Sequence, residues 1–376
     1  MPMNRREFLA WSAAALAARP PLSTLGAAEE IPAHEGLDET LEKLHATDAG
    51  LGGHRANHGP MCAEALETLG RGEAIRDWSR RYDRFVRKPG SQGETRITES
   101  DWRSALGTSS RFPEWRAFFE RGLSERPWRE FLALWFDRLA PGVVSIATHG
   151  LLRAAHAARG LARKDTPVRR TELACAFAYW ASYHTTLPEG KAPERRHSLR
   201  DSYPLIPRLP TDLRRDGSIM AALAPVEKFE PFGPVADLPD LSGEPERVLS
   251  ALTELQATIY VANVPRVGHD LAFLHGVTGP SAVRLILPYL DEKGRGRLLR
   301  YGWQACAALW SAYADDSMVF EIEPRPMSPK ELVDRAVEHG NEHVIKLSEV
   351  ALREHAARPS EIYLAAARLA GDRLSR

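Results

Sequence analysis

Four histidines sit in similar surroundings of small and turn-forming residues. They are Asn57-His58-Gly59-Pro60, Ala147-Thr148-His149-Gly150, Leu274-His275-Gly276-Val277-Thr278-Gly279 and Glu342-His343-Val344-Ile345-Lys346. Neutral imidazole ligates iron, zinc, copper and nickel. Metal sites in helical bundles are assembled from inward side chains on several facing helices. A single histidine on an apolar helix face is ordinarily a satisfied core or surface residue. Repetition of one context at four distant places is what raises metal chemistry here. Three of the four are followed at once by glycine, which admits close approach of backbone or ligand.

Lys346 stands among Val344, Ile345 and Leu347, where an ammonium is costly to bury without a partner. Burial depresses a lysine's pKa and exposes the neutral amine. That amine can add carbon dioxide, giving a carbamate, an anionic oxygen ligand one turn beyond His343. The competing reading is a lysine that snorkels to the surface or pairs with Glu342 or Glu349; the residues alone favour it. His156, on the helical face of His149, and His339, one turn before His343, are substitutes within the same set. His34, His45, His197 and His355 read as ordinary exposed residues. Cys62, Cys175 and Cys306 read as buried free thiols.

Such ligands need helices to carry them, and apolar residues do recur at helical spacing. A short helix begins at Pro60 and ends before Gly70. Further helices are expected over Trp128–Leu139, Val143–Leu161, Thr171–His184, Glu246–Val261, Ser281–Leu290 and Arg297–Tyr313. One long helix over Pro329–His355, capped by Ser328, and a final one after Pro359 complete the set. There is no βαβ series, no internal repeat and no GxGxxG loop. Ten of the 27 prolines fall between Leu187 and Pro245, which excludes long helices there. Aromatics persist in that stretch, so it reads as an ordered excursion packed over the helices, a candidate lid. The expected fold is all-α: a single large helical domain over residues 29–376, with a proline-rich irregular insertion at 187–245.

The 376 residues carry 50 Lys+Arg against 50 Asp+Glu, and 43% are hydrophobic. That balance excludes a generally basic nucleic-acid binder and a disordered chain. Three cysteines cannot form a disulfide scaffold. Residues 1–28 join Asn4-Arg5-Arg6-Glu7-Phe8-Leu9 to an Ala/Leu-rich run and a small-residue stretch ending Gly26-Ala27-Ala28. This resembles a twin-arginine export signal. The apolar run is too short to span a bilayer, which takes about 20 residues, and no later run is long enough. The expected location is periplasmic or secreted. That export route carries folded proteins, commonly ones that load a cofactor first.

The segments Asn57-His58-Gly59-Pro60-Met61, Val144-Ser145-Ile146-Ala147-Thr148-His149-Gly150, Arg153-Ala154-Ala155-His156, His275-Gly276-Val277-Thr278-Gly279-Pro280 and Glu342-His343-Val344-Ile345-Lys346-Leu347 together resemble the questin oxidase-like family. The likeness runs from roughly Leu37 to the C-terminus and is least clear in the proline-rich excursion. The resemblance implies non-haem Fe(II) held by His58, His149, His275, His343 and a carboxylated Lys346. It implies oxidative ring cleavage of a quinone or phenolic substrate, by Baeyer–Villiger-like or C–C cleavage chemistry. The implied partners are a small aromatic substrate and dioxygen, with no nucleic acid and no membrane. Some relatives use NADPH, but no nucleotide-binding motif stands here, so electrons would come from the substrate or a separate reductase. Trp180, Tyr183 and Trp303 are candidates for an aromatic pocket wall. Two rivals stay open: a metal-dependent hydrolase using the carboxylated lysine, and an exported metal- or ligand-binding protein without catalysis.

Overall fold

The computed structural model describes residues 33–47, 50–52, 55–82 and 96–375. The expected export signal, residues 1–28, lies outside them. Among the described residues, thirteen α-helices of eight or more residues carry the architecture. They are α1 (Glu35–His45), α2 (Gly59–Thr68), α3 (Ile75–Tyr82), α4 (Phe112–Glu125), α5 (Trp128–Leu139), α6 (His149–Arg163) and α7 (Pro167–Ser182). After the excursion come α8 (Pro245–Val267), α9 (Asp270–Arg284), α10 (Glu292–Tyr313), α11 (Pro329–His339), α12 (Glu342–Ala357) and α13 (Glu361–Arg373). The one strand pair, Gly50–Gly52 with Arg55–Ala56, is minimal. The fold is all-α. No described helix is long and apolar enough to cross a membrane.

Local chemistry sets the helix ends. Thr166, Asp291 and Ser328 each accept a backbone N–H with their side chains at the starts of α7, α10 and α11, and Ser328 forms a full capping box with Glu331. Phe131, Leu132, Trp135, Phe136 and Leu139 are buried along α5, as their spacing predicts. Their rings meet Trp115, Phe119, Phe177 and Trp180 from α4 and α7. The excursion at 187–245 is ordered by short helical turns laid on α10. Trp303 Nε1 donates to Val235 O at 2.8 Å, and Tyr203 packs edge-on against Trp303 and Trp310.

Three expected elements differ from the structure. The long helix over Pro329–His355 is two, because Gly340 turns left-handed (φ 75°) and Asn341 caps a new start. The helix expected from Val143 begins at His149, after Ile146, Ala147 and Thr148 adopt φ of 52°, 50° and 69°. The helix expected from Ser281 begins eleven residues earlier, at Asp270, and runs straight through Pro280. Proline removes a donor from the helix ladder, and the carbonyl it strands, that of Gly276, accepts the Cys306 thiol instead.

Four helices form a closed ring: α2 packs on α6, α6 on α9, α9 on α12, and α12 on α2. About two to three turns from their histidines, buried charges stitch the ring together. Glu64 of α2 receives Arg159 and His156 of α6. Arg159 also pairs with Glu349 of α12, and Glu354 of α12 pairs with Arg284 of α9 at 2.6 Å. Stripping one partner from such a buried network leaves uncompensated charge. Arg159→Met, which removes the arginine shared by Glu64 and Glu349 and leaves them to His156 and Arg353, is expected to cost about 1.5–3 kcal/mol in urea unfolding; a loss under about 1 kcal/mol would refute this role.

Candidate metal centre

Each histidine of the ring of helices enters from its own segment. His58 stands immediately before α2, where Tyr82 OH accepts from its N–H at 2.7 Å. Asn57 Oδ1 accepts from both Tyr82 OH and Gly59 N, fixing the approach to the helix. His149 is the first residue of α6, behind the left-handed turn. His275 lies inside α9, and His343 and Lys346 lie one turn apart on α12. All five side chains are buried.

The four imidazoles close into a cycle. Ring centroids are 4.7 Å apart for His58–His149, 4.6 Å for His149–His275, 5.6 Å for His275–His343 and 4.6 Å for His343–His58. Lys346 Nζ lies 2.7 Å from His58 Nδ1. The structure therefore brings together all five residues singled out from the sequence.

Two contacts fix the protons. His149 Nδ1 is 2.5 Å from Ile146 O, and His275 Nδ1 is 2.6 Å from Leu271 O. A carbonyl only accepts, so each Nδ1 carries the hydrogen and each Nε2 presents a bare lone pair. Those two Nε2 atoms face each other at 3.1 Å. Two lone pairs at that distance repel unless a cation or a proton stands between them. Burial, followed by the Lys346 charge, holds His275 down to about 3. Burial also holds His58, His149 and His343 well below 6.5. Neutral rings with Nδ1–H on backbone carbonyls are the form in which histidine binds metal. Nitrogens bonded to one ion at about 2.1 Å stand about 3.0–3.4 Å apart in octahedral or tetrahedral arrangements. The residues fit an ion.

Glu342 is the member the sequence reading missed. Donor atoms of His58, Glu342 and His343 all lie within 4.8 Å of one another, and Glu342 Oε1 is 3.6 Å from His343 Nδ1. Its signal was adjacency to His343, read only as a salt-bridge partner for lysine. Lys346 itself neither reaches the surface nor pairs with Glu349, whose carboxylate is taken by Arg159 and Arg353. Burial lowers Lys346 to about 8 against the opposing pull of Glu342 and Cys62.

The substitutes are employed elsewhere. His156 Nδ1 meets Glu64 at 2.7 Å within the charge network, and His339 Nε2 donates to Leu374 O at 3.0 Å. His34, His45, His197 and His355 are half-buried rather than exposed. His34 caps α1, His45 pairs with Glu172, His197 bridges to Pro239 through its backbone, and His355 meets Ser360 O. The three cysteines are free and buried as expected. The glycines after the histidines serve packing: a Cβ on Gly150 would stand 2.5 Å from the Trp180 ring, and one on Gly276 2.8 Å from Gln256 Oε1.

A cavity of about 1060 Å³ opens onto the cluster. His58, His149, His275, His343 and Glu342 line its floor, and Trp78, Tyr82, His269 and Tyr313 supply aromatic walls. Trp78 stacks on Tyr82 at 4.9 Å, and His269, at φ 60°, packs on Tyr313 at 4.8 Å. The expected wall residues Trp180, Tyr183 and Trp303 are not among the lining; Trp180 and Trp303 are fully buried core. Gly217–Met220 bring the excursion to the rim. No protein-family model matches this chain, and no curated protein is significantly similar to it.

Depressed histidine pKa values set a sign for acid behaviour. The unfolded rings take up protons below about 6.5 while the buried ones refuse them, so stability is full above that pH and falls as pH drops toward 3. Metal-free protein should show a melting temperature that declines from pH 6.5 downward, less steeply in His275→Leu. A profile flat from pH 7 to 4 would overturn the assignment of neutral rings.

Proposed function

We propose that this chain is a non-haem iron-dependent oxygenase that opens the ring of a quinone or phenolic substrate. The observation that carries it is the pair of opposed Nε2 lone pairs on His149 and His275, 3.1 Å apart, with both Nδ1 atoms committed to carbonyls. His58, His149, His275 and His343 would hold the ion, with Lys346 as a carbamate and Glu342 beside it. Bound there, a redox-active ion supplies dioxygen activation and Lewis acidity. The choice of iron and of an aromatic substrate leans on the motif resemblance to questin oxidase-like proteins and on the aromatic cavity walls.

The chain's own residues prepare that chemistry. Lys346, with its amine lowered to about 8, adds carbon dioxide: an N–C bond forms and one proton leaves. An ammonium in this place would repel a cation and occupy the Nδ1 lone pair of His58; a carbamate attracts one. Together with the Glu342 carboxylate it would balance a divalent charge. Trp78, Tyr82 and Tyr313 offer ring faces to a planar substrate, while Ile146, Ala147 and Leu271 line the cavity beside the donors with apolar surface that excludes water.

A second reading has one specific observation behind it. The donors divide into a His149–His275 pair and a His58–Glu342–His343 triad, an arrangement that also suits two ions sharing a lysine carbamate in a hydrolase. Metal stoichiometry separates the two. Protein produced with iron should carry one ion per chain and consume oxygen with hydroxyquinones. His58→Ala and His275→Ala should each lose at least about tenfold in bound metal. Labelled bicarbonate should give a carbamate ¹³C resonance that vanishes in Lys346→Met. Two zinc ions per chain without oxygen uptake would favour the hydrolase, and full metal content in both histidine variants would sink the ligand set.

A further inference from the structure

Behind the turn that presents His149 lies a second cavity, of about 260 Å³. Val144, Ile146, Ala147, Met220, Ala221, Leu223 and Ala224 give it an apolar lining, with Thr185 and Glu227 as its polar members. Ile146, Ala147 and Met220 line the large cavity as well. The two spaces are therefore separated by little more than one strained turn and one methionine. The chamber has an inner and an outer end: Val144, Ile146 and Ala147 are buried, whereas Ala224 is exposed and Glu227 half-buried. Burial raises the Glu227 carboxyl against a hydrogen bond from Thr185, which favours its neutral form.

Three features bear on what such a chamber takes. An apolar cavity of about 150 Å³ stays dry and accepts xenon or a small hydrocarbon. Methionine, unbranched and with three rotatable bonds, is the side chain most able to swing between rotamers in a packed wall. The turn Ile146–Thr148 holds three non-glycine residues at positive φ, each against the clash of its Cβ with the backbone. Such strain persists where it fixes a functional geometry, and here the same turn sets His149 on one side and walls the chamber on the other.

We infer that this chamber binds dioxygen and delivers it to the histidine cluster past Met220, separately from the wide mouth that admits the aromatic substrate. The dioxygen assignment rests on the oxygenase reading; the capacity to hold a small apolar gas does not. A crystal of the metal-loaded protein under xenon pressure should show xenon between Met220, Leu223 and Val144. Ala221→Phe fills the chamber, and Ala224→Trp blocks its exposed outer end, where folding is not at stake. Each should raise KM for oxygen at least about threefold, with KM for the aromatic substrate and kcat at saturating oxygen unchanged. Xenon in the wild type and its loss in Ala221→Phe support the chamber whether or not the protein turns over. A wild-type chamber without xenon, or an oxygen KM unmoved in both variants, would overturn the delivery route. Absence of any oxygen uptake by the wild type would overturn the oxygenase reading instead, with the xenon result still deciding the gas site.

Discussion

Two backbone carbonyls, those of Ile146 and Leu271, determine what the centre of this protein can be. Each accepts a hydrogen bond from an imidazole Nδ1–H, and so leaves the far nitrogen of its ring as a bare lone pair facing the other. The surrounding backbone is shaped to keep those carbonyls in place. Ile146 belongs to a turn no β-branched residue adopts unforced. Leu271 belongs to the first turn of a helix that tolerates a proline in its middle, with the displaced hydrogen bond replaced by a thiol. Local irregularity here is the means of aiming two side chains.

Charge is distributed with the same economy. At the centre the four rings are neutral, because desolvation keeps protons off them. Full charges of the interior, among them Glu64, Glu349, Glu354 and their arginines, are held about two to three helical turns away, where each has an opposite partner. Buried ion pairs add little net stability but fix the relative register of the helices they join. Lys346 is the exception, a cationic side chain inside the neutral zone whose near carboxylate, Glu342, belongs to the cavity floor.

Much of this was legible in the residues. Helical periodicity located α5, α7, α8 and α10 because their apolar stripes are dictated by burial alone. The recurring His-Gly context found three of the convergent imidazoles, His58, His149 and His275, since a histidine beside a tight helix contact needs a small neighbour on its other side, and the helical spacing from Lys346 added His343. What stayed hidden depends on tertiary contact. Gly340 and Asn341 are together a helix stop and start signal, masked by an apolar spacing that carries on from α11 into α12. Nothing in Ile146-Ala147-Thr148 announces positive φ, and the composition of the chain contains no hint of which aromatics face a cavity and which face each other. Glu342 was overlooked because a carboxylate near a lysine has a simpler explanation than coordination.

The donors come from four segments, and the contact between His58 and Lys346 spans 288 positions of the chain. Closing so distant a contact carries a loop-entropy cost that the packed helices between its ends must offset. A fragment that begins after His58 or ends before Lys346, however native its individual helices, cannot present the complete cluster. Occupancy of the centre would thus register that the entire topology has been achieved, making ligand capture a seal on a finished molecule rather than a seed for its assembly.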